Sequence, residues 1–492
     1  MSSSMQFLAT LLVLGAAAAG ARGSDGSQAG PAEPKPWTIL IYGAADNNAD
    51  GPIFEWLGDV RRAVADDPAL NVVLFVDRST GFSAAKEPGG EEFTNNRLYL
   101  IHEKTAQRLD NGAEFPEMKL DRECEPDSAD PATLRKFLRF GKAHHPAQHV
   151  ALIIYSHASG ISMCPDVESG RDMGIAELTE ATEEQDGVEV AALELCNMGG
   201  IEIAYQWRPR NGGFSAEVLV AIPNANPPLD WERIFGRIHA PGSAAAKGRA
   251  NCVDPKTMEA RDFGRIAVEE GGAGRLAALA NHPHPSPELL ARVARESVAA
   301  YDLNAVEAVK KAVDELAVAL WRTNAKEPFC ALRGSKTTGF MMNYVGDNLD
   351  GERPFVNLYD LLRRAAECKE LDETVHAKAK TAMAATEAVM IGSFGMSGYA
   401  GFEAGKNGVF IVFPRGDTPR PATLGGQTRA WGSFRWYSPE PAKEGKTVNG
   451  NLAWCRDGAI AGDGKVENWF ELLDAWFDVD DGAAGGLNGW RW

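Results

Sequence analysis

The sequence predicts an α/β sandwich in which helices cover both faces of a mainly parallel central sheet, with an α+β extension towards the C-terminus. Three observations carry this. Six apolar runs of strand length occur within residues 37–222, segments with helical spacing alternate with them, and most of the runs stop at Gly or a polar turn. At 492 residues the chain is long enough for about two to four domains.

The first run, 37–43, leads into Asp46-Asn47-Asn48-Ala49-Asp50 and reads as a buried strand with its exit loop. Helical spacing over 53–64 and a second buried strand over 71–78 follow, an order that implies a right-handed crossover. From 79 to about 122 the pattern breaks into short pieces, with a hairpin around 97–101. Asp130 as N-cap and Pro131 at the first position open a helix over 131–140. The next strand runs through 150–155 to His157, and the chain then loops over 163–174 and forms a short helix near 176–183. A strand over 188–195 ends at Cys196, a helix over 201–207 leaves it, and another strand covers 216–222.

After about Gly236 the texture changes. Leu303, Val306, Val309, Ala312, Val313, Leu316 and Leu320 form one apolar helical stripe, helices are expected over 358–368 and 375–386, and strand-like runs over 388–392 and 408–414. Residues 469–477 form an amphipathic helix whose Trp and Phe side chains are core material. The expected organisation is a signal peptide over 1–23, a linker over 24–36, a catalytic domain over 37–235, and a C-terminal α+β region over 236–492 that either folds by itself or continues the central sheet.

The formal net charge of -18 excludes a nucleic-acid backbone as partner and suits basic peptides. The apolar stretch 7–15, followed by small residues to 24, is too short to span a bilayer and reads as an export signal, although the residues before it carry no Lys or Arg. With that export signal a secreted, periplasmic or cell-surface location is expected, and no later segment is long and apolar enough to span a membrane. The seven cysteines make no Cys-x-x-Cys pair, and an odd number leaves at least one thiol outside intramolecular disulfides. Cys196 is the candidate.

Cys196 and His157 each stand where an apolar run gives way to a turn. Two parallel strands ending this way would bring a thiol beside an imidazole at the carboxyl edge of the sheet, where open α/β sheets do chemistry. An imidazole converts a thiol, ordinarily of pKa near 8.5, to the nucleophilic thiolate, and then protonates a leaving amine. The amides of Cys196 and Ala158 are the natural oxyanion donors. Glu194 shares a strand face with Cys196. A carboxylate in an apolar run needs a partner, either a substrate Arg or Lys or one of the protein's own basic residues.

These residues resemble the clostripain family of cysteine peptidases, which shares a clan with caspases and gingipains. The likeness runs through Trp37 to Tyr42, Ala45 to Asn48, Asp77-Arg78, His157-Ala158-Ser159-Gly160, Ser169-Gly170, and Glu194-Leu195-Cys196-Asn197-Met198-Gly199 with Ile201 to Tyr205. Residues 408–414 add a fainter match. The resemblance implies a caspase-like three-layer α/β/α sandwich, a Cys196–His157 dyad, and an exported endopeptidase that cleaves after Arg or Lys through a thioacyl-enzyme, with Glu194 in the pocket for the basic side chain. The chain departs from the family's usual residues at Ser156, Ala158, Glu194 and Asn197. The alternative is a catalytically inactive caspase-like binding or scaffold protein; carbohydrate binding through the Trp residues is weaker. Family members are sometimes cut in a loop near the site, for which Arg171-Asp172 is the candidate bond, and sometimes need calcium. The acids Asp46, Asp77, Asp166, Glu168 and Asp172 are available for calcium, but their spacing is not that of an EF-hand, so the metal site is unknown. The chemistry itself requires no cofactor.

Overall fold

Nine strands pair into one sheet in a computed structural model of the chain, which describes residues 34–64, 69–82, 93–101, 105–110, 112–121, 124–160, 162–225, 227–281, 284–334, 341–344, 354–414, 418–419, 428–429, 452–460 and 463–477. The expected signal peptide, and all but the end of the expected linker, lie outside the described residues. The nine are β1 (Lys35–Ala45), β2 (Leu70–Arg78), β3 (Arg97–Ile101), β4 (Ala106–Arg108), β5 (Ala147–Tyr155), β8 (Val188–Glu194), β9 (Ala216–Ala221), β10 (Ser297–Asp302) and β12 (Met390–Gly395), and outside the sheet β6 (Ser162–Asp166) pairs with β7 (Arg171–Gly174) and β11 (Phe355–Asn357) with β13 (Phe410–Val412).

The sheet order is β12-β10-β9-β8-β5-β1-β2-β3-β4. The central five strands are parallel, and antiparallel strands flank them on both sides. From β1 the chain winds to β2 on one side, then returns through β5 to β8 and β9 on the other. The reversal opens a crevice at the carboxyl ends of β1 and β5, with β8 beside it.

Alternation along the strands sorts the core into two layers. Leu40, Tyr42, Phe75, Leu152, Ile154 and Leu193 face the helices Pro131–His144, Ile201–Gln206 and Val306–Arg322. Ile39, Ile41, Leu74, Ile153 and Val190 face Asp50–Val64, Trp231–Gly236 and Ala260–Ala280. This is the α/β/α sandwich that the strand and helix alternation predicts. Asp130 caps its helix as expected, accepting from the Ala132 N–H at 2.9 Å, and every residue of the predicted stripe from Leu303 to Leu320 is buried.

Three elements differ from expectation. Residues 163–174, read as a loop, form the antiparallel hairpin β6–β7, with a register irregularity between Met163 and Asp166. Ser297–Asp302, unassigned because it is alanine-rich, is β10 and pairs with both β9 and β12, bringing the later half of the chain into the sheet. The helix Ala260–Ala280 was also unassigned. Among the described residues no helix is long and apolar enough to cross a membrane.

Candidate active site

The exits of β1, β5 and β8 line the crevice. β5 and β8 are hydrogen-bonded neighbours in parallel register, with Tyr155 opposite Glu194. Two residues beyond each of these, at the exits of the adjacent strands, stand His157 and Cys196. His157 is exposed and Cys196 half-buried, so both face accessible space. None of the seven cysteines is in a disulfide.

His157 is oriented by the exit of β1. Its Nε2 donates to Oδ1 of Asn48 at 2.7 Å, which leaves the lone pair on Nδ1. Where protein covers the ring, lost hydration lowers its basicity below the ordinary value. Asn47 anchors the same turn: its Nδ2 donates to Pro165 O at 2.8 Å and its Oδ1 accepts from the Ala49 N–H at 2.9 Å. Ser156, one of the positions that departs from the family, donates to Ala44 O at 2.6 Å and so ties β5 to β1.

Ala158 and Met163 form an antiparallel bridge whose two hydrogen bonds run from Cys164 N to His157 O and from Ser159 N to Ser162 O, both at 3.0 Å. Ala158 is therefore a non-hydrogen-bonded position, and its N–H points away from the hairpin. After Cys196 the chain turns sharply through Asn197, whose φ of 61° lies in the left-handed region that Asn tolerates better than most side chains. The turn is pinned by the Asn197 N–H to Asn224 O and the Met198 N–H to Ile222 O, both at 2.9 Å. At Gly199 a Cβ would come within 2.8 Å of the Pro223 backbone, so only glycine lets the β9 exit approach this turn.

Glu194 is buried, and among the described residues the donors bonded to it are a backbone amide and an indole, not a Lys or Arg of the chain. Oε2 accepts from the Leu229 N–H at 2.9 Å and Oε1 from the Trp231 indole at 2.8 Å. Burial raises its pKa, against the opposing effects of these two donors and of the charge of Arg275. Two donors leave part of the carboxylate's accepting capacity unused. Beside it, Glu55, Trp56, Leu229, Asp230 and Arg275 help to line a cleft of about 470 Å³.

Arg171 opens β7 and is not in the exposed tip that precedes it. Its guanidinium pairs with Asp127 at 3.4 Å and Glu177 at 3.2 Å. The carboxylates considered for calcium divide. Asp172 accepts from Ser162 Oγ, whereas Asp46, Asp77, Asp166 and Glu168 gather with Glu125 at the exits of β1, β2 and β6. Asp46 accepts from the Glu168 N–H at 2.8 Å, and Asp166 from the Ser128 N–H at 3.1 Å. Both oxygens of Asp77 and one of Asp46 are buried without a hydrogen-bond partner. Among the described residues, however, no group of three His, Cys, Asp or Glu side chains is arranged to hold a metal ion.

Asn48 is the site residue to which sequence reasoning assigned no role. Its signal was the Asp-Asn-Asn turn at the carboxyl end of a buried strand, legible as a turn but silent about which side chain it would meet.

The sequence profile of the Clostripain family matches residues 41–476. The chain belongs to the clostripain family. It is 33% identical over 486 residues to clostripain of Hathewaya histolytica, covering 92% of this chain and 89% of that one. Among solved structures it is similar to an inactive zymogen C11 protease from Parabacteroides distasonis (TM-score 0.49, 14% identity, 78% of this chain and 93% of that one). It is also similar to a secreted C11 cysteine protease from Bacteroides thetaiotaomicron (TM-score 0.47, 16% identity, 77% and 93%). Membership in the clostripain family supports a clostripain-like cysteine protease function in general.

Proposed function

We propose that this protein is an exported cysteine endopeptidase that hydrolyses peptide bonds after Arg or Lys, with Cys196 as nucleophile and His157 as general base and acid. The observation that supports the reading is the parallel register of β5 and β8, whose last pair, Tyr155 and Glu194, precedes His157 and Cys196 by two residues on each strand.

With Nε2–H held by Asn48, Nδ1 of His157 is the atom that takes the proton of Cys196. The thiolate attacks the scissile carbonyl, and the N–H groups of Cys196 and Ala158 receive the developing oxyanion. The imidazolium then protonates the departing amine. Water, deprotonated by the same imidazole, cleaves the thioester and restores the thiol. Glu194 supplies the negative charge at the pocket for the basic side chain, using the capacity that Leu229 and Trp231 leave free. Its methylene more than an Asp would carry shortens the reach allowed to that side chain.

The apolar leader 1–23 supports export to a secreted, periplasmic or cell-surface location. Self-cleavage is proposed at Arg171–Asp172, which requires the two ion pairs of Arg171 to open. The chemistry uses the chain's own groups. For calcium, the buried, unpartnered oxygens of Asp77 and Asp46 favour a cation nearby, but the carboxylates do not form a ready ligand set, and no step here runs through it.

Lys- and Arg-terminated fluorogenic peptides, assayed under reducing, calcium-supplemented conditions beside Cys196→Ala, test the reading. Release by the wild type alone is expected. Equal release by both proteins, or none by either, would favour the inactive scaffold.

A further inference from the structure

Glu194 is one member of a buried set of three charges. Arg275, on the helix Ala260–Ala280, is buried, and its Nε stands 3.4 Å from Oε2 of Glu296, itself buried at the approach to β10. Its Nη2 donates to Pro227 O. The segment 227–231 is thus held from both sides, by Arg275 at Pro227 and by Glu194 at Leu229 and Trp231. Glycine makes the contact close: a Cβ on Gly274 would come within 2.8 Å of Asp230 Cβ, and one on Gly271 within 3.1 Å of Leu229 Cδ2.

Two carboxylates and one guanidinium leave the set with an excess negative charge. The charge of Arg275 opposes the effect of burial on Glu194, after the larger effects of the Leu229 and Trp231 donors. Other titratable groups near this set are Tyr155 on β5, Glu55 on the helix Asp50–Val64, and Asp230 on the held segment.

We infer that Arg275 is a positioning residue that determines specificity: it holds segment 227–231 against Glu194 and, as an internal cation, keeps Glu194 negatively charged for a basic substrate side chain. This rests on the reading of Glu194 as the acid of that pocket. Glu296 tempers the effect, because it shares the charge of Arg275.

The test is the pH profile of kcat/KM for a peptide with Lys before the scissile bond and for its norleucine counterpart. In Arg275→Gln the acid limb for the Lys peptide is expected to move up by about one pH unit, roughly a tenfold loss below the limb, while the norleucine limb stays in place. Arg275→Lys should restore most of the shift. Glu296→Gln, which leaves the guanidinium in place, should move the limb the other way, and it keeps the proposal testable where Arg275→Gln fails to fold. Equal losses on both peptides with unmoved limbs would overturn the role of Arg275 alone. A wild-type enzyme indifferent to Lys over norleucine would overturn the Glu194 reading, and this inference with it.

Discussion

Nε2 of His157 donates to Oδ1 of Asn48 across 2.7 Å, so the loop leaving β1 decides which ring nitrogen faces the nucleophile. Asn48→Ala should lower kcat/KM by about 100-fold, since a misdirected catalytic group costs on that order, without a matching fall in the unfolding midpoint. Steady-state kinetics with a thermal melt would check this. Undiminished turnover would mean that the hydrogen bond does not orient the ring.

The same loop enters a helix at Asp50, whose carboxylate is gripped by Arg78 through two hydrogen bonds of 2.8 and 2.9 Å, both side chains buried. Arg78 also donates to Phe93 O at 3.0 Å and lies over the Phe54 ring. Removing one partner strands a buried charge, so Asp50→Ala should cost about 3–5 kcal/mol in denaturant unfolding. A cost below about 1 kcal/mol would place the pair among ordinary surface bridges.

Asp77 is held well above its usual pKa, first by burial and then by Glu125 and Asp166 nearby, and Glu125 is raised to about 7, first by burial. A carboxyl raised in the folded state favours folding below its unfolded pKa and loses that contribution as pH climbs through the folded value. The cluster should therefore weaken the fold as pH rises from about 4 to beyond 7. Asp77→Asn should raise the melting midpoint relative to wild type at pH 8 and change it little or unfavourably at pH 5. An equal shift at both values would show that the carboxyl does not titrate in this range.

Glu194→Gln keeps the shape and the bond from Leu229 but removes the charge. Charge-assisted hydrogen bonds contribute about 1.5–3 kcal/mol, so preference for Lys or Arg over norleucine should fall by about 10–100-fold, a larger effect than the loss of the Trp231 bond has on folding. An unchanged preference would move the pocket elsewhere.

Self-cleavage after Arg171 would expose a new N-terminus at Asp172, detectable by intact-mass and terminal sequencing and missing from Cys196→Ala. Because Arg171 is ion-paired to Asp127 and Glu177, Asp127→Asn should hasten the cut. A fully active, uncut chain would dismiss it.

Strands with β-branched and aromatic residues, such as Ile39 to Tyr42 and Val72 to Val76, were legible because a short apolar run bounded by turns can bury both its faces only inside a covered sheet. Ser297–Asp302 was not: Ala299 and Ala300 carry little strand preference, and their place in the sheet comes from pairing with β9 and β12. The helix Ala260–Ala280 was hidden by its glycines, which weaken helix propensity but admit close neighbours; a Cβ on Gly264 would meet Val218 at 2.8 Å and one on Gly272 would meet Phe394 at 2.7 Å. His157 and Cys196 were readable as strand ends, whereas the partners of Glu194 were not, since Leu229 and Trp231 lie more than thirty residues away.

The most direct measurement is peptide mapping after treatment with an irreversible alkylating peptide that carries Lys or Arg next to its reactive group. One adduct on Cys196 among the seven cysteines, formed slowly or not at all in His157→Ala, is the predicted result. Labelling scattered over several cysteines, or equally fast at Cys196 without His157, would contradict a nucleophile activated by its neighbour across β5 and β8.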